Sequence, residues 1–358
     1  MKSATSFNRV LIANRGEIAL RAIRVCHRLG LETVAVYSTA DAASPHVWTA
    51  TRSVCIGPPP ARESYLSIPI LLHVAQETGC DAVYPGYGFL AENAEFAAQC
   101  EENGIKFIGP SAETISTMGD KSRARETAVR FGVPVVPGSQ EVYVDVAQAQ
   151  DVAIGVGFPL LIKARSGGGG RGMRIVENQS GFAAAFAQAT REAEAAFGDG
   201  AVYMERFFAA VRHIEVQVLG DGKGGSLEFD ERDCSVQRRH QKLVEESPSP
   251  VVNEDVRRRL LEAAGRLTRG IRYEGAGTVE FIMDAESGEF YFIEMNTRIQ
   301  VEHTVTEMRI GRDLVEAQFD IAQGKPLPDY DQAAIPGGHA IEFRINAEDS
   351  GKDFQPAP

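Results

Sequence analysis

The chain has 358 residues, 44% hydrophobic and 24% charged, a balance that argues against a disordered, collagen-like or disulfide-stapled protein. Its 49 acidic and 37 basic residues leave a net charge of −12, a poor match for nonspecific nucleic-acid binding. Five scattered cysteines with no CxxC pair, no leader-like N-terminus and no long apolar stretch predict a cytoplasmic protein with reduced thiols and no membrane partner.

In chain order, residues 10–13 read as a strand. Residues 17–29 read as a helix with Ile18, Ala22, Cys26 and Leu29 on one face and Gly30 as its stop. Strands are predicted at 33–37, 82–84 and 106–108. Helices are predicted at 65–78, complicated by Pro69, and at 94–102. Such alternation implies right-handed crossovers and a covered parallel sheet, a Rossmann-like unit ending near Gly109 and Pro110. Beyond Gly119-Asp120-Lys121 comes a helix at 124–131. Strands at 159–164 and 173–176 flank a glycine-rich loop, and a helix covers 180–197. Further strands fall at 202–205, 213–219 and 226–231, and Asn253 is read as the cap of a helix over 254–270. Strands at 278–284 and 290–296 flank a turn at 286–288, and a helix covers 313–322. Residues 339–348 read as a last strand with nothing left to pair with it, so a chain cut short is expected.

Several clusters carry chemistry. The run Gly167-Gly168-Gly169-Gly170-Arg171-Gly172 sits between two strands, so it reads as a flap whose backbone N–H groups approach anionic oxygens, not as a dinucleotide fingerprint. A plain flexible hairpin is the alternative. Lys163, three residues before the loop on an apolar strand, suits a phosphate. The strand pair at 278–284 and 290–296 sets Glu280 against Glu294 within apolar runs, and two desolvated carboxylates need a shared proton or a cation. Asn296 joins them on the same face, a hard-oxygen set suited to Mg²⁺ (or Mn²⁺), unless the hairpin is an exposed acidic edge. The same face is expected to continue through Arg298, Gln300 and Glu302, an oxyanion-binding guanidinium followed by an amide and a general base. The cation-dense segment from Arg232 to Lys242 reads as a solvated loop or as a polyphosphate clamp with Gln237, His240 and Lys242 facing inward at near-alternating spacing. Nothing marks Cys234 as an activated nucleophile.

Five strings together resemble biotin carboxylase, the ATP-grasp component of biotin-dependent carboxylases. They are Leu11-Ile12-Ala13-Asn14-Arg15-Gly16-Glu17-Ile18-Ala19, Tyr84-Pro85-Gly86-Tyr87-Gly88-Phe89-Leu90-Ala91-Glu92-Asn93, the flap with Lys163, the run from Arg232 to Lys242, and Phe292-Ile293-Glu294-Met295-Asn296-Thr297-Arg298-Ile299-Gln300-Val301-Glu302-His303. The resemblance spans essentially the whole chain. It implies a multidomain α/β and α+β fold: a Rossmann-like domain over 1–115, an ATP-grasp domain over 116–328 with a lid near 135–205, and the start of a β-rich C-terminal domain at 329–358. The implied reaction activates bicarbonate with ATP to carboxyphosphate and carboxylates biotin.

By that resemblance Lys121 and Lys163 meet the ATP phosphates, Gly168, Gly169, Gly170, Arg171 and Gly172 close over the nucleotide, and Glu205, Arg206, Phe207 and Phe208 hold the adenine. His213, Gln237 and His240 are further nucleotide contacts, and Lys242 touches both ATP and bicarbonate. Glu280, Glu294 and Asn296 match the metal ligands. Arg298, Gln300, Val301 and Glu302 match the bicarbonate site with Glu302 as base, and Tyr87 and Arg344 match the biotin site. Arg165 and Val211 depart from the pattern, where a small residue and a proline are expected. The family also continues beyond Pro358, through much of its dimer interface. No Met-Lys-Met biotin-attachment string occurs, so biotin is expected on a separate carrier domain or subunit, with a carboxyltransferase as further partner and a homodimer for the full-length parent. Two other readings stay open: another bicarbonate-activating ligase of the carbamoyl-phosphate synthetase type, and a non-catalytic nucleotide-binding fragment.

Overall fold

The computed structural model describes residues 7–139, 141–165, 173–238, 241–329 and 338–357. The chain forms two compact units. One comprises Met1–Val133, Arg212–Ile282 and Phe292–Pro358, the other Pro134–Val211 and Met283–Tyr291.

The first unit opens with β1 (Arg9–Ile12), α1 (Gly16–Arg28), β2 (Glu32–Ser38), α2 (Pro45–Thr49), β3 (Arg52–Gly57), α3 (Ile68–Glu77), β4 (Ala82–Tyr84), α4 (Ala94–Glu102) and β5 (Lys106–Phe107). The strands form one parallel sheet in the order β3-β2-β1-β4-β5. Val10, Leu11 and Ile12 are fully buried, as a central strand covered on both faces requires. Two helices follow, α5 (Ala112–Gly119) and α6 (Lys121–Arg130). The Asp120 carboxylate accepts the Arg123 N–H and so starts α6, which fixes Lys121 at its first turn.

The second unit contains α7 (Val146–Val156), β6 (Leu160–Ala164), β7 (Met173–Val176), α8 (Gln179–Phe197) and β8 (Val202–Arg206). Its antiparallel sheet runs β7-β6-β8, and Ala149, Ala153, Phe182 and Phe186 of the helices share a core with Leu160, Ile162, Val202 and Met204.

The chain then builds β9 (Val211–Asp221), β10 (Ser226–Arg238), β11 (Gln241–Ser247), α9 (Glu254–Gly270), β12 (Glu274–Asp284), β13 (Phe290–Asn296), α10 (His303–Ile310), α11 (Leu314–Ala322) and β14 (Ala340–Phe343). The six strands make a sheet in the order β13-β12-β9-β10-β11-β14. The fold is thus mixed α/β, with a five-stranded parallel sheet and antiparallel sheets of six and three strands.

Three expectations change. The strand read over 339–348 stops at Phe343 and is paired, with Val244 opposite Phe343 and Ser247 opposite Ala340 on β11. In the run from Arg232 to Lys242 the described residues are strand: β10 runs to Arg238 and β11 starts at Gln241. Gln237 and Lys242 therefore do not alternate along one strand but face each other across two. Finally, β13 ends at Asn296, so Arg298, Gln300 and Glu302 do not extend its face. They lie on the irregular segment leading into α10.

Candidate active site

One cavity of about 730 Å³ in the first unit gathers half of the predicted residues. Its lining takes Lys121 from α6, His213 from β9, Gln237 from β10, Lys242 from β11, Glu280 from β12, and Glu294 and Asn296 from β13. Arg298, Gln300, Val301 and Glu302 come from the segment before α10, and Arg344 follows β14. Gln241 and Ile293 also line it.

Lys242 is the hub. Its Nζ donates to Glu215 Oε2 at 2.6 Å, Glu302 Oε1 at 2.8 Å and Glu280 Oε1 at 2.9 Å. Burial works to lower the pKa of this ammonium, but Glu215 and Glu280 more than reverse that, so it stays charged. Burial likewise opposes ionisation of Glu280, yet His213 and Lys242 hold its carboxyl down to about 2. His213 Nε2 lies 2.7 Å from Glu280 Oε2. Gln237 Nε2 donates to His213 Nδ1 at 3.0 Å, which fixes the tautomer with the proton on the Glu280 side.

Beneath the cavity lies Arg232, wholly buried. Its five N–H groups all find acceptors: Glu215 Oε1 (2.7 Å), Gln217 Oε1 (2.8 Å), Thr306 Oγ1 (3.0 Å), Thr278 Oγ1 (3.2 Å) and Gln300 Oε1 (2.8 Å). Because Arg232 takes the amide oxygen of Gln300, its Nε2 must point the other way, and it donates to Glu280 Oε1 at 2.9 Å. On the rim, Arg298 Nε donates to Glu92 Oε2 at 2.8 Å, and its Nη2 to Asn296 Oδ1 at 3.1 Å. Arg344 Nη2 donates to Glu302 Oε2 at 2.7 Å.

The expected cation ligands deserve a chemical test. Asn296 Nδ2 donates to Glu280 Oε1 at 2.8 Å. Glu294 accepts no hydrogen bond from the described residues, and burial, then Glu280, push its carboxyl above the usual range. A divalent cation relieves both effects, so the donor set fits a hard ion.

The remaining predicted residues lie elsewhere. Tyr87 does not line this cavity; its hydroxyl donates to Glu17 Oε2 at 2.9 Å, and Asn14 Nδ2 holds its carbonyl at 2.8 Å. Lys163 and Glu205 pair with each other across β6 and β8 in the second unit. There the Phe207 N–H donates to Pro159 O at 2.9 Å, Arg206 ends β8, and Phe208 stacks on Tyr291 at 5.1 Å. Gly168, Gly169, Gly170, Arg171, Gly172 and His240 lie outside the described residues. Arg165 pairs with Asp199. Cys234 is buried, which pushes its thiol far above its usual range, in keeping with an inert side chain.

Sequence reasoning missed Glu215, Glu245 and Glu92 as site residues. For Glu215 the signal was available: His213, Glu215 and Gln217 alternate within an apolar strand, which marks one polar face turned inward.

Residues 6–115 match the family described as biotin carboxylase, N-terminal domain, and residues 120–330 match carbamoyl-phosphate synthase L chain, ATP binding domain. The chain is 51% identical over 352 residues to a biotin carboxylase of Nostoc sp., covering 98% of this chain and 78% of that protein. The biotin carboxylase domain of a thermophilic 2-oxoglutarate carboxylase, solved with ADP, superposes with a TM-score of 0.91 at 48% identity, covering 98% of this chain and 77% of that one. The corresponding dimeric domain from Hydrogenobacter thermophilus, solved with MgADP, ADP and bicarbonate, gives 0.81 at 47% identity over 98% and 77% of the two chains. Relatives that are biotin carboxylases over 98% of the chain give no support to a carbamoyl-phosphate synthetase type of ligase. Among the described residues, no helix is long and apolar enough to cross a membrane.

Proposed function

The chain belongs to the biotin carboxylase family of ATP-dependent ligases, and we propose that the cavity around Lys242 is where it carboxylates biotin. The observation that carries this reading is the Lys242 ammonium within 2.9 Å of three carboxylates, Glu215, Glu280 and Glu302, beside Arg298, Gln300 and Arg344.

In the proposed reaction Glu302 takes the proton of bicarbonate as the bicarbonate oxygen attacks the γ-phosphorus of ATP and ADP leaves. Carboxyphosphate then splits into CO₂ and phosphate, the phosphate takes the N1′ proton of biotin, and N1′ bonds to the carbon of CO₂. Lys242 and Arg298 neutralise the bicarbonate charge, Gln300 and Val301 orient it, and Arg344 stabilises negative charge on the ureido oxygen of biotin beside Tyr87. His213, Gln237, Lys121 and His240 are assigned to the nucleotide, as are Lys163, residues 168–172 and residues 205–208. Glu280, Glu294 and Asn296 would hold Mg²⁺ or Mn²⁺, which supplies charge neutralisation at the phosphates.

The division into 1–115, 116–328 with a lid near 135–205, and 329–358 is likewise proposed; the family matches over 6–115 and 120–330 and the compact unit Pro134–Val211 support it. Biotin carboxylases work with a carboxyl carrier and a carboxyltransferase. For this chain we propose a separately carried biotin, a homodimer, and a cytoplasmic location.

The test is ATP hydrolysis with Mg²⁺, with and without bicarbonate and free biotin. Turnover should need bicarbonate, rise with biotin, and fall about 10²–10⁴-fold in Glu302→Gln. ATP binding without bicarbonate-dependent turnover would make this chain a nucleotide-binding fragment instead.

A further inference from the structure

Glu302 is assigned the role of base, yet both of its oxygens are engaged. Lys242 donates to Oε1 at 2.8 Å and Arg344 donates to Oε2 at 2.7 Å. Each oxygen therefore already carries a cationic donor where the bicarbonate O–H would have to approach. One donor has to let go before bicarbonate can hand over its proton. Lys242 is the poorer candidate: it is 13% exposed and bound to two further carboxylates, one of them anchored by Arg232. Among the described residues, Arg344 has one other carboxylate within ion-pair distance.

That anion is Glu245 on β11. Its carboxylate is fully buried, and Oε1 lies 2.7 Å from Arg344 Nε. The contact lacks hydrogen-bond alignment: neither Glu245 oxygen nor Arg344 Nε makes a hydrogen bond. The backbone holds the two side by side, since the Arg344 N–H donates to Leu243 O at 2.9 Å and Glu245 faces Glu342 across β11 and β14. A buried carboxylate without an aligned donor is an expensive arrangement, and a small rotation of the guanidinium would relieve it.

We propose that Glu245 is a positioning residue that draws the Arg344 guanidinium away from Glu302 and so frees Glu302 Oε2 for the bicarbonate proton. The inference rests on the reading of Glu302 as base given above. No covalent bond changes in the step; one ion pair exchanges for another. The charged groups facing Glu245 are Arg344 and Glu342 from the β14 side and Glu302 from the start of α10. Glu342 is itself held by the Thr304 hydroxyl. Burial pushes the Glu245 carboxyl up to about 7, with Arg344 opposing and Glu302 and Glu342 adding to it. Only the ionised form attracts Arg344, so the exchange strengthens as pH rises through 7.

The experiment measures kcat/KM for bicarbonate in ATP hydrolysis from pH 6 to 9 for the full chain and for Glu245→Gln and Glu245→Asp, each with a melting curve. Wild-type activity should rise through about pH 7. Glu245→Gln should lose that rise and run about tenfold or more slower above it, as expected for one charged hydrogen bond. Glu245→Asp keeps the charge and should restore a rise with pH. Because burial disfavours the ionised Glu245 carboxyl in the fold at pH 8, Glu245→Gln should melt no lower than wild type there. A wild-type pH profile in Glu245→Gln overturns the proposal, and so does equal slowing of both variants. Loss of all bicarbonate dependence in the wild type would instead overturn the reading of the cavity, which the Glu302→Gln control detects separately.

Discussion

Replacing Arg232 with Met removes a guanidinium that touches no solvent. The change leaves Glu215, also fully buried, with Lys242 as its one remaining cation. It also takes the guanidinium donor from the accepting oxygens of Gln217, Thr278, Gln300 and Thr306. Removing one member of a buried pair costs about 3–5 kcal/mol, and the methionine recovers little because its neighbours are polar. Total stabilities are about 5–15 kcal/mol, so the loss is a large share. Urea denaturation followed by circular dichroism measures it as a lowered midpoint. Arg258→Met is the internal control: Arg258 is 59% exposed and pairs with Asp255 and Glu262, contacts worth about 0–1 kcal/mol. In a Glu215→Gln background Arg232→Met should cost less, because no buried carboxylate is then left short of charge. If Arg232→Met and Arg258→Met shift the midpoint equally, the buried network does not stabilise this sheet and the reasoning fails.

Asp41 accepts from Arg15, Ser38 and Tyr65, and although burial opposes ionisation these partners hold its carboxyl down to about 2. Its contribution, about 2 kcal/mol, is therefore present above about pH 4 and drains away as pH falls toward 2. Asp41→Asn should flatten that part of the stability profile; a profile unchanged between pH 4 and 2 would contradict the assignment. Glu294→Gln should raise the Mg²⁺ concentration for half-maximal ATP hydrolysis about tenfold, the scale of a lost metal-site group. An unchanged Mg²⁺ requirement would remove Glu294 from the ligand set.

The parallel sheet was legible because β1, β2 and β4 are short apolar runs separated by strong helical periodicity. Its edge strand β3 was not: Arg52, Ser53 and Cys55 face outward or half-outward, so the apolar signal is gone. Helix α7 was missed although Asp145 caps it by accepting from the Ala147 and Gln148 N–H groups, because Val, Ile and Gly within it weaken its helical character. Proline at the first turn moved the start of α3 from Tyr65 to Ile68. In the site, Glu280, Glu294 and Asn296 stood out as polar residues among apolar strand neighbours. The convergence of Arg298, Gln300 and Glu302 was expected for the wrong reason. They meet the cavity through hydrogen bonds that bend the chain after β13, as when Glu92 accepts the Thr297 N–H at 3.0 Å. Strand alternation contains no trace of such contacts, and Glu92 lies 205 positions earlier in the chain. The strand β11 begins at the end of a run of cations whose charge reads as solvated until the facing carboxylates are known.

Those carboxylates bear on how the cavity handles anions. The three cations assigned to bicarbonate and biotin already have carboxylate partners: Lys242 has three, Arg344 has Glu302 and Glu245, and Arg298 has Glu92. An incoming bicarbonate therefore exchanges ion pairs and does not fill an empty positive hole. The net energy of such an exchange is small compared with either pair alone, since one desolvated contact replaces another. What differs among the cations is their freedom to exchange. Arg232, with no exposure and every N–H bonded, has no alternative arrangement within reach. Arg344 is 18% exposed and has an unaligned carboxylate 2.7 Å away. The fixed guanidinium sets the direction of the Gln300 amide and the place of Lys242, while the movable one can yield to a substrate. A site built this way keeps its geometry through the reaction even as its outer ion pairs change partners.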